Sequence, residues 1–239
     1  MNRLLINVGN SRTVAVLANR RGEVTQEVLV RPTPRTELEA EALAVRLAAE
    51  RPPDLKAGIT SVVPLVTAAL ELNLPDLQVV DHNRRMPFEV AVDEAETVGA
   101  DRWCNVAAAV DAGLTDALVV DAGTATTIDV LTDGVFVGGL IAPGMAFAAQ
   151  ALQEMGARLW TVPFEPVELR PGRDTEEALQ IGAFHVGVHG VKGTVLELLE
   201  QYPGARVVLT GGLGHFLRHD GWVLEPQWTF RGLTRLLNG

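Results

Sequence analysis

The sequence predicts an α/β protein made of two similar halves, each with a mixed sheet flanked by helices. One observation is a repeated pattern in which an apolar strand enters a polar turn and returns as a second strand, first at residues 4–17 and again at 117–131. The other observation is that helix and strand signals alternate after each copy. We therefore predict one half at residues 1–114 and the other at 115–239, facing each other across a cleft.

The second copy of the pattern has a turn rich in hydroxyl groups. The apolar run Ala117–Val120 leads into Asp121-Ala122-Gly123-Thr124, and residues 126–131 form the predicted returning strand. Gly123 allows a sharp turn and a close approach of a ligand to the backbone. Asp133-Gly134 then marks a hairpin. Taken alone, this stretch is also consistent with an ordinary hairpin that has a polar tip.

The first copy has the same order of residue types. Leu4-Leu5-Ile6 leads into Asn7-Val8-Gly9-Asn10-Ser11-Arg12-Thr13, and Val14–Leu17 follows as an apolar strand. Backbone N–H groups in such turns form concave sites that bind phosphate oxygens. Two such turns on opposite sides of a cleft therefore predict a clamp for an anion.

The rest of the chain reads as alternating strands and helices, with two irregular stretches. Further strands are predicted at residues 24–30, 58–63, 77–80, 135–140 and 205–210. Helices are predicted at residues 36–51, 64–72, 101–112, 143–159, 175–200 and 233–237. Residues 81–97 are expected to be irregular, and residues 160–173, with three prolines, are expected to form an extended loop.

Composition excludes several classes of function. The net charge of −10 argues against non-specific nucleic-acid binding. No apolar run approaches the roughly 20 residues needed to cross a membrane, and we expect no signal peptide. Cys104 is the only cysteine, which fits a reducing cytoplasm. Lys56 and Lys192 are the only lysines, and neither lies in a P-loop motif, so a P-loop nucleotide site is excluded.

Three further motifs have both a structural and a functional interpretation. In Gly99-Ala100-Asp101-Arg102, Arg102 suits a carboxylate ligand and Asp101 suits a proton acceptor, although Asp101 also fits a simple helix start. Gly138–Gly144 fits a glycine-rich turn before a helix, with or without a ligand. Thr210-Gly211-Gly212 ends a strand, and a flat adenine could lie on its glycines.

In this order and spacing the motifs resemble the type III pantothenate kinase family and a related bacterial accessory-factor group, within the actin-like ATPase and sugar kinase superfamily. The resemblance spans nearly the whole chain. It rests on residues 7–11, 61–64, 99–102, 121–127, 138–144, 175–178 and 210–212.

The resemblance implies two actin-like (ribonuclease H-like) halves and a cytoplasmic homodimer that phosphorylates pantothenate with ATP, the first step of coenzyme A synthesis. It implies that Asp101 is the proton acceptor and that Arg102 binds the substrate carboxylate. Thr175 is the implied substrate contact across the dimer, and Trp103 is a candidate interface residue. The implied pantothenate-binding residues are Gly99, Ala100, Asp101, Arg102 and Thr175.

The resemblance also implies an ATP site that uses Mg²⁺ with the nucleotide. Asp121 is the implied ligand of a monovalent cation, K⁺ or NH₄⁺, and Thr124 is an implied ATP contact. The turn that wraps the phosphates is implied to comprise Asn7, Val8, Gly9, Asn10, Ser11, Arg12, Thr13 and Val14.

The chain departs from the family pattern at two positions, and these leave alternatives open. The family has Asp where this chain has Asn7, which favours a catalytically weak relative that binds nucleotide or pantothenate as a regulatory protein. The family has an aromatic residue near the position of Val92, and its loss favours a kinase that acts on another small hydroxylated acid. A folded protein without any ligand is the fourth hypothesis.

Overall fold

The computed structural model describes residues 2–52, 54–155 and 162–239. Its strands are β1 (Arg3–Val8), β2 (Arg12–Ala18), β3 (Val24–Pro32), β4 (Lys56–Ser61), β5 (Gln78–Val79), β6 (Glu89–Val90), β7 (Ala117–Ala122), β8 (Ala125–Thr132), β9 (Val135–Pro143), β10 (Arg206–Thr210) and β11 (Val223–Leu224). Its helices are α1 (Glu37–Glu50), α2 (Pro64–Asn73), α3 (Ala100–Asp111), α4 (Met145–Met155), α5 (Thr175–Gln201) and α6 (Trp228–Asn238). Single 3₁₀ turns occur at Ala95–Thr97 and Gly214–Leu217.

The chain divides into two compact units. Unit 1 comprises Met1–Thr115, Asp133–Gly138 and Gln227–Gly239, and unit 2 comprises Asp116–Thr132 and Gly139–Pro226. The C-terminal segment joins unit 1 because α6 packs along α3. The division at residue 114 into two actin-like halves stays a prediction, since compactness alone does not define those halves.

Unit 1 contains a five-stranded mixed sheet in the order β3-β2-β1-β4-β5. The central strand β1 is antiparallel to β2 and parallel to β4. Leu4, Ile6 and Val8 alternate along β1 and pack in one buried cluster with the apolar residues of α1 and α2. On the same strand Leu5 is also fully buried, and α6 contacts both β1 and β4. The strand that leads into the first polar turn is therefore held by packing along its whole length.

The second sheet repeats this strand order and has β6 as a sixth strand beside β9. Its strands run β6-β9-β8-β7-β10-β11, with β7 antiparallel to β8 and parallel to β10. Leu118, Val120 and Ala122 of β7 pack in one cluster with Met145 of α4 and Phe184 of α5. Because β7 has the position of β1 in an equivalent sheet, the structure confirms the α/β class and the predicted duplication of the strand–turn–strand pattern.

Local capping signals place the helix starts. Thr36 Oγ1 accepts a hydrogen bond from Glu39 N at 3.3 Å, and Glu39 Oε2 accepts from Thr36 N at 3.2 Å, so the two residues form a capping box at the start of α1. Pro64 is the first residue of α2, where its missing N–H leaves no helical bond unmade. Asp133 and Gly134 both have positive φ, 50° and 75°, as a two-residue hairpin turn requires.

Some predicted elements differ from the structure. The last helix begins at Trp228 rather than 233, because Trp228 and Thr229 are buried against α3 and no N-cap residue marks the start. Strand β9 extends beyond the strand predicted at 135–140, through residues 141–143 of the predicted glycine-rich turn. Two-residue strands β6 and β11 are too short to show periodicity, so they were not predicted. The predicted helix end between 156 and 159 lies outside the described residues.

Among the described residues, no helix combines the length and the apolar character that a membrane crossing requires.

Candidate active site

The first polar turn lies in unit 1 between β1 and β2. Gly9 N–H donates to the carbonyl oxygen of Arg12 at 3.0 Å, which closes the turn. Thr33, buried at the end of β3, donates from Oγ1 to the Gly9 carbonyl at 2.6 Å and from its backbone N–H to Ser11 O at 3.0 Å. Asn10, Ser11 and Arg12 are exposed at the tip. These two hydrogen bonds from Thr33 stabilise the turn. No sequence motif predicted this role for Thr33.

The second polar turn lies in unit 2 between β7 and β8 and closes in a similar way. Gly123 N–H donates to the carbonyl oxygen of Ala125 at 3.0 Å. Gly144, just before α4, donates its N–H to Thr124 O at 3.0 Å, and a Cβ at Gly144 would overlap the carbonyl oxygens of Gly123 and Thr124. The glycine at 144 is therefore needed for the backbone of α4 to start directly against the turn.

Asp121 lies half-buried beside this second turn. Gly211 follows β10 with φ of +81°, and a Cβ there would overlap Asp121 Oδ1. Leu213 N–H donates to the carbonyl oxygen of Ala122 at 3.0 Å. The structure therefore brings Asp121, Thr124, Gly144 and the Thr210-Gly211-Gly212 motif together in unit 2. Thr124 is exposed, as a ligand contact must be.

The Gly99–Arg102 motif forms the first turn of α3, with Gly99 as the N-cap residue. Asp101 Oδ1 accepts a hydrogen bond from Arg102 N at 2.9 Å. A Cβ at Gly99 would lie 2.6 Å from that same oxygen, so any larger residue at 99 would displace the Asp101 carboxylate. Burial raises the pKa of Asp101, and the Arg102 N–H and the Arg102 charge oppose this rise only in part. A raised pKa makes Asp101 a stronger proton acceptor.

Arg102 lies over an aromatic cluster that we define as Phe88, Trp103 and Phe136. The Arg102 Cζ atom is 5.8 Å from the centroid of the Phe136 ring, a cation–π distance. Trp103 meets Phe136 edge-on at 5.4 Å and stacks on Phe88 at 6.2 Å. Trp103 is only 1% exposed, so its assignment as an interface residue was wrong. Phe88 and Phe136 were missed because they follow no motif.

Val92, near the position where the family has an aromatic residue, lies beside Gly138 of β9. A Cβ at Gly138 would lie 3.7 Å from Val92 Cγ1, and Gly138 has φ of +110°. The aromatic surface beside Arg102 comes from Phe136 instead, which β9 contributes.

The Ser61–Pro64 motif connects the first turn to the start of α3. Val62 N–H donates to the carbonyl oxygen of Val8 at 3.0 Å. Val62 Cγ1 lies 3.5 Å from the position of a Cβ on Gly99. Val62 therefore lies between the turn predicted to bind phosphate and the helix start predicted to bind the substrate, and both belong to unit 1.

Thr175 is exposed in the first turn of α5, in unit 2. The preceding loop is fixed by Glu177, whose carboxylate accepts from Arg170 Nη1 at 2.9 Å, from Arg170 Nη2 at 3.1 Å and from Arg173 N at 2.9 Å. The hydrogen bonds from Arg170 lower the pKa of Glu177 to about 2. Asp174 caps the helix by accepting from Glu177 N at 2.9 Å. These bonds fix the backbone at Thr175.

The environment of Cys104 argues against a role for its thiol in catalysis. Cys104 is fully buried in α3, and burial raises the pKa of its thiol to about 12. A thiol of that pKa is protonated at neutral pH, so it is not a nucleophile. Among the described residues, no group of three or more His, Cys, Asp or Glu side chains could by itself hold a metal ion.

Solved structures of similar fold include a Baf family protein and a ROK family glucokinase. A Baf family protein from Campylobacter jejuni matches with a TM-score of 0.62 at 21% identity, covering 98% of this chain and 97% of that one. A ROK family glucokinase from Streptomyces griseus matches with a TM-score of 0.59 at 10% identity, covering 100% and 98%. At these identities the likeness concerns the fold alone, and it confirms the predicted fold class.

Sequence comparison identifies the family. The sequence model of the type III pantothenate kinases matches residues 3–197. A type III pantothenate kinase from Fervidobacterium nodosum is 32% identical over 245 residues, which cover 96% of this chain and 94% of that protein. Another from Roseobacter denitrificans is 37% identical over 191 residues, covering 74% and 73%. The chain therefore belongs to the type III pantothenate kinase family.

Proposed function

We propose that this protein transfers the γ-phosphoryl group of ATP to the primary hydroxyl of pantothenate, the first step of coenzyme A synthesis, in the cytoplasm. The observation that carries the proposal is the start of α3, where Asp101 and Arg102 lie next to the first polar turn through Val62. Pantothenate has a hydroxyl for a base and a carboxylate for a guanidinium. Both groups of the protein are present on one helical turn.

In the proposed reaction, Asp101 takes the proton of the pantothenate hydroxyl as its oxygen attacks the γ-phosphorus. The bond from the γ-phosphorus to the bridging oxygen breaks in line, and ADP leaves. The pKa of Asp101 is raised by burial, so its basicity is greater than that of an exposed carboxylate. Arg102, held over Phe136, fixes the substrate carboxylate and thereby the distance of the hydroxyl from Asp101.

The two polar turns are proposed to bind ATP. The tip residues Asn10, Ser11 and Arg12 are exposed, and backbone N–H groups of such turns suit phosphate oxygens; Thr124 is also exposed. Asp121 supplies one carboxylate beside the second turn. Magnesium in kinase sites is usually held by one or two carboxylates and the substrate phosphates, which is consistent with a site this sparse. Bound cations would neutralise phosphate charge, and a monovalent ion is proposed at Asp121.

A homodimer is proposed to complete the pantothenate pocket through Thr175. In support, α5 exposes large apolar side chains, with Val186 75% exposed and Leu196 43% exposed. Phe147 of α4 is 50% exposed. Since Trp103 is buried, these residues of unit 2 replace it as the proposed interface.

Asn7 supports one alternative function. It stands where the family has Asp, so the first turn keeps its shape but lacks a charge that would help hold the metal. A protein that binds nucleotide or pantothenate with little turnover is therefore the second candidate. The loss of the expected aromatic at Val92 keeps a different small hydroxy acid as a third candidate.

The identity of the product tests the proposal. Purified protein is incubated with Mg²⁺, K⁺, ATP and either pantothenate or related hydroxy acids, and the products are resolved by mass spectrometry. Formation of 4′-phosphopantothenate, abolished by Asp101→Asn, is the expected result. Phosphorylation of another acid in preference to pantothenate would overturn the substrate. ATP binding without any phosphorylated product would favour the regulatory alternative.

A further inference from the structure

The C-terminal helix α6 makes directed hydrogen bonds to α3, although it lies beyond the segment that the family model matches. Thr229 Oγ1 donates to Asn105 Oδ1 at 2.9 Å, and Trp228 Nε1 donates to the Asn105 carbonyl oxygen at 2.9 Å. All three residues are buried, with Asn105 0% exposed, Trp228 4% and Thr229 6%. Buried hydrogen bonds of this kind fix geometry more strongly than apolar contact does.

The backbone of α6 also lies unusually close to its neighbours. A Cβ at Gly232 would overlap the carbonyl oxygen of Cys104, so α6 and α3 touch backbone to backbone. A Cβ at Gly22 would lie 2.8 Å from Arg231 Cα. At the far end of α3, Arg231 Nε contacts Asp111 Oδ2 at 2.7 Å. The position of α6 therefore leaves α3 little freedom to slide or rotate.

Asn105 is an unusual residue for its place in the helix. The four residues that follow it, Val106–Ala109, are all fully buried and apolar. An apolar side chain at 105 would satisfy packing, whereas a buried amide is destabilising unless its hydrogen bonds are made. What the amide adds is a fixed direction and distance to Thr229. Asn105 also lies four residues after Asp101, about one helical turn along α3.

We propose that Thr229 and Asn105 are positioning residues for phosphoryl transfer, because their hydrogen bond fixes the helix that carries Asp101 and Arg102. The inference rests on the proposed function. Rates of group transfer fall steeply when a catalytic group is displaced by about 1 Å, so a small shift of α3 is sufficient to lower activity. The bond acts through α3, and neither residue is proposed to touch the substrate.

The chain offers a matched control for the test. Thr234 is on the same helix, is 3% exposed, and its Oγ1 has no hydrogen-bond partner among the described residues. Thr229→Val and Thr234→Val remove the same atom from buried positions of α6, but only the first breaks a bond to α3. Thr229→Ser keeps the hydroxyl and serves as the rescue variant.

Steady-state kinetics and calorimetric titration with pantothenate are measured for the natural protein and the three variants. We expect Thr229→Val to lower kcat/KM for pantothenate by about tenfold, equivalent to ~1.4 kcal/mol, and to weaken pantothenate binding. KM for ATP should stay within about twofold, since the ATP turns are not on α3. Thr229→Ser should restore most of the loss, and Thr234→Val should match the natural protein.

Two results would overturn the inference and leave the proposed function standing. One is a Thr229→Val variant with unchanged kcat/KM and pantothenate affinity. The other is equal losses in Thr229→Val and Thr234→Val, which would indicate general destabilisation. If the natural protein neither binds nor phosphorylates pantothenate while it remains folded by circular dichroism, the proposed function fails and the positioning role fails with it.

Discussion

Asn7 and Asp121 occupy the same register position in the two copies of the strand–turn–strand pattern. Asn7 pairs with Val14 and Asp121 pairs with Thr127, and each residue is the last but one of its strand. The two turns that follow are closed by the equivalent glycine N–H. The duplicated architecture therefore keeps a charge at one of the two positions and a neutral amide at the other.

Asp101→Asn should abolish phosphoryl transfer and stabilise the fold at neutral pH. The pKa of Asp101 is raised by burial, so the folded protein disfavours its charged form. This destabilisation is present above the raised pKa and disappears below the pKa of the unfolded chain, about 3.9. The gain in Tm from the substitution should therefore shrink as pH falls. Thermal melts of both proteins between acidic and neutral pH measure this difference in Tm. A Tm of the variant that is unchanged or lower at neutral pH would contradict the raised pKa of Asp101.

The same raised pKa predicts the pH dependence of activity. Asp101 accepts a proton only when it is ionised, so kcat/KM for pantothenate should fall as pH drops through that pKa. The acidic limb should lie above the range of ordinary aspartates. A limb at or below about 3.9 would place the responsible group elsewhere.

Asp121→Ala should remove the activation by potassium. The carboxylate lies beside the second turn, where a cation would offset phosphate charge, so the variant should bind ATP more weakly and respond equally to Na⁺ and K⁺. Titration with a non-hydrolysable ATP analogue in the two salts measures this response. If the natural protein already behaves identically in both salts, no monovalent site operates at Asp121.

A homodimer should form at micromolar concentration. The exposed side chains of Val186 and Phe147 lie on α5 and α4, and replacing both by Glu should weaken association. Light scattering of the natural protein should give about twice the chain mass of 25.6 kDa. The double variant should shift toward the monomer and lose pantothenate turnover. If light scattering gives the mass of a single chain, Thr175 cannot contribute to the pantothenate pocket of a partner subunit.

The elements with strong local signals could be predicted from sequence. The apolar run Leu4-Leu5-Ile6 indicates a buried strand, and Thr36 with Glu39 marks a helix start. The glycines of the motifs mark positions where two backbone segments approach closely. Gly144 and Gly211 illustrate this, since each lies against the second turn where a Cβ would overlap. Such positions depend on the nearest few residues and on steric exclusion.

The features that could not be predicted from the sequence depend on contacts between segments that are distant in the chain. Phe136 of β9 contacts Arg102, and Thr33, which follows β3, hydrogen-bonds to the first turn. No sequence motif indicates either contact. Trp103 was misassigned because a large aromatic on a helix is compatible with a core or an interface. Helix α6 was predicted short because its first turn is held by Asn105, more than a hundred residues earlier, rather than by a local cap.

Asn7→Asp addresses the charge that the first turn lacks. The substitution keeps the shape of the turn and adds a carboxylate, which magnesium prefers to an amide oxygen. Nucleotide affinity should change little, because the exposed tip residues Asn10–Arg12 are unaffected. Turnover should rise by roughly a hundred-fold, the usual effect of one charge that stabilises a phosphoryl transition state.

The most direct test of the account is ADP release in Mg²⁺ and K⁺ buffer, with and without pantothenate, for the natural protein and Asn7→Asp. We expect pantothenate-dependent release by both proteins, slow for the natural chain and much faster for the variant. Equal rates would show that Asn7 is a tolerated substitution. Absence of pantothenate-dependent ADP release from both proteins would contradict the assignment of this chain as a pantothenate kinase.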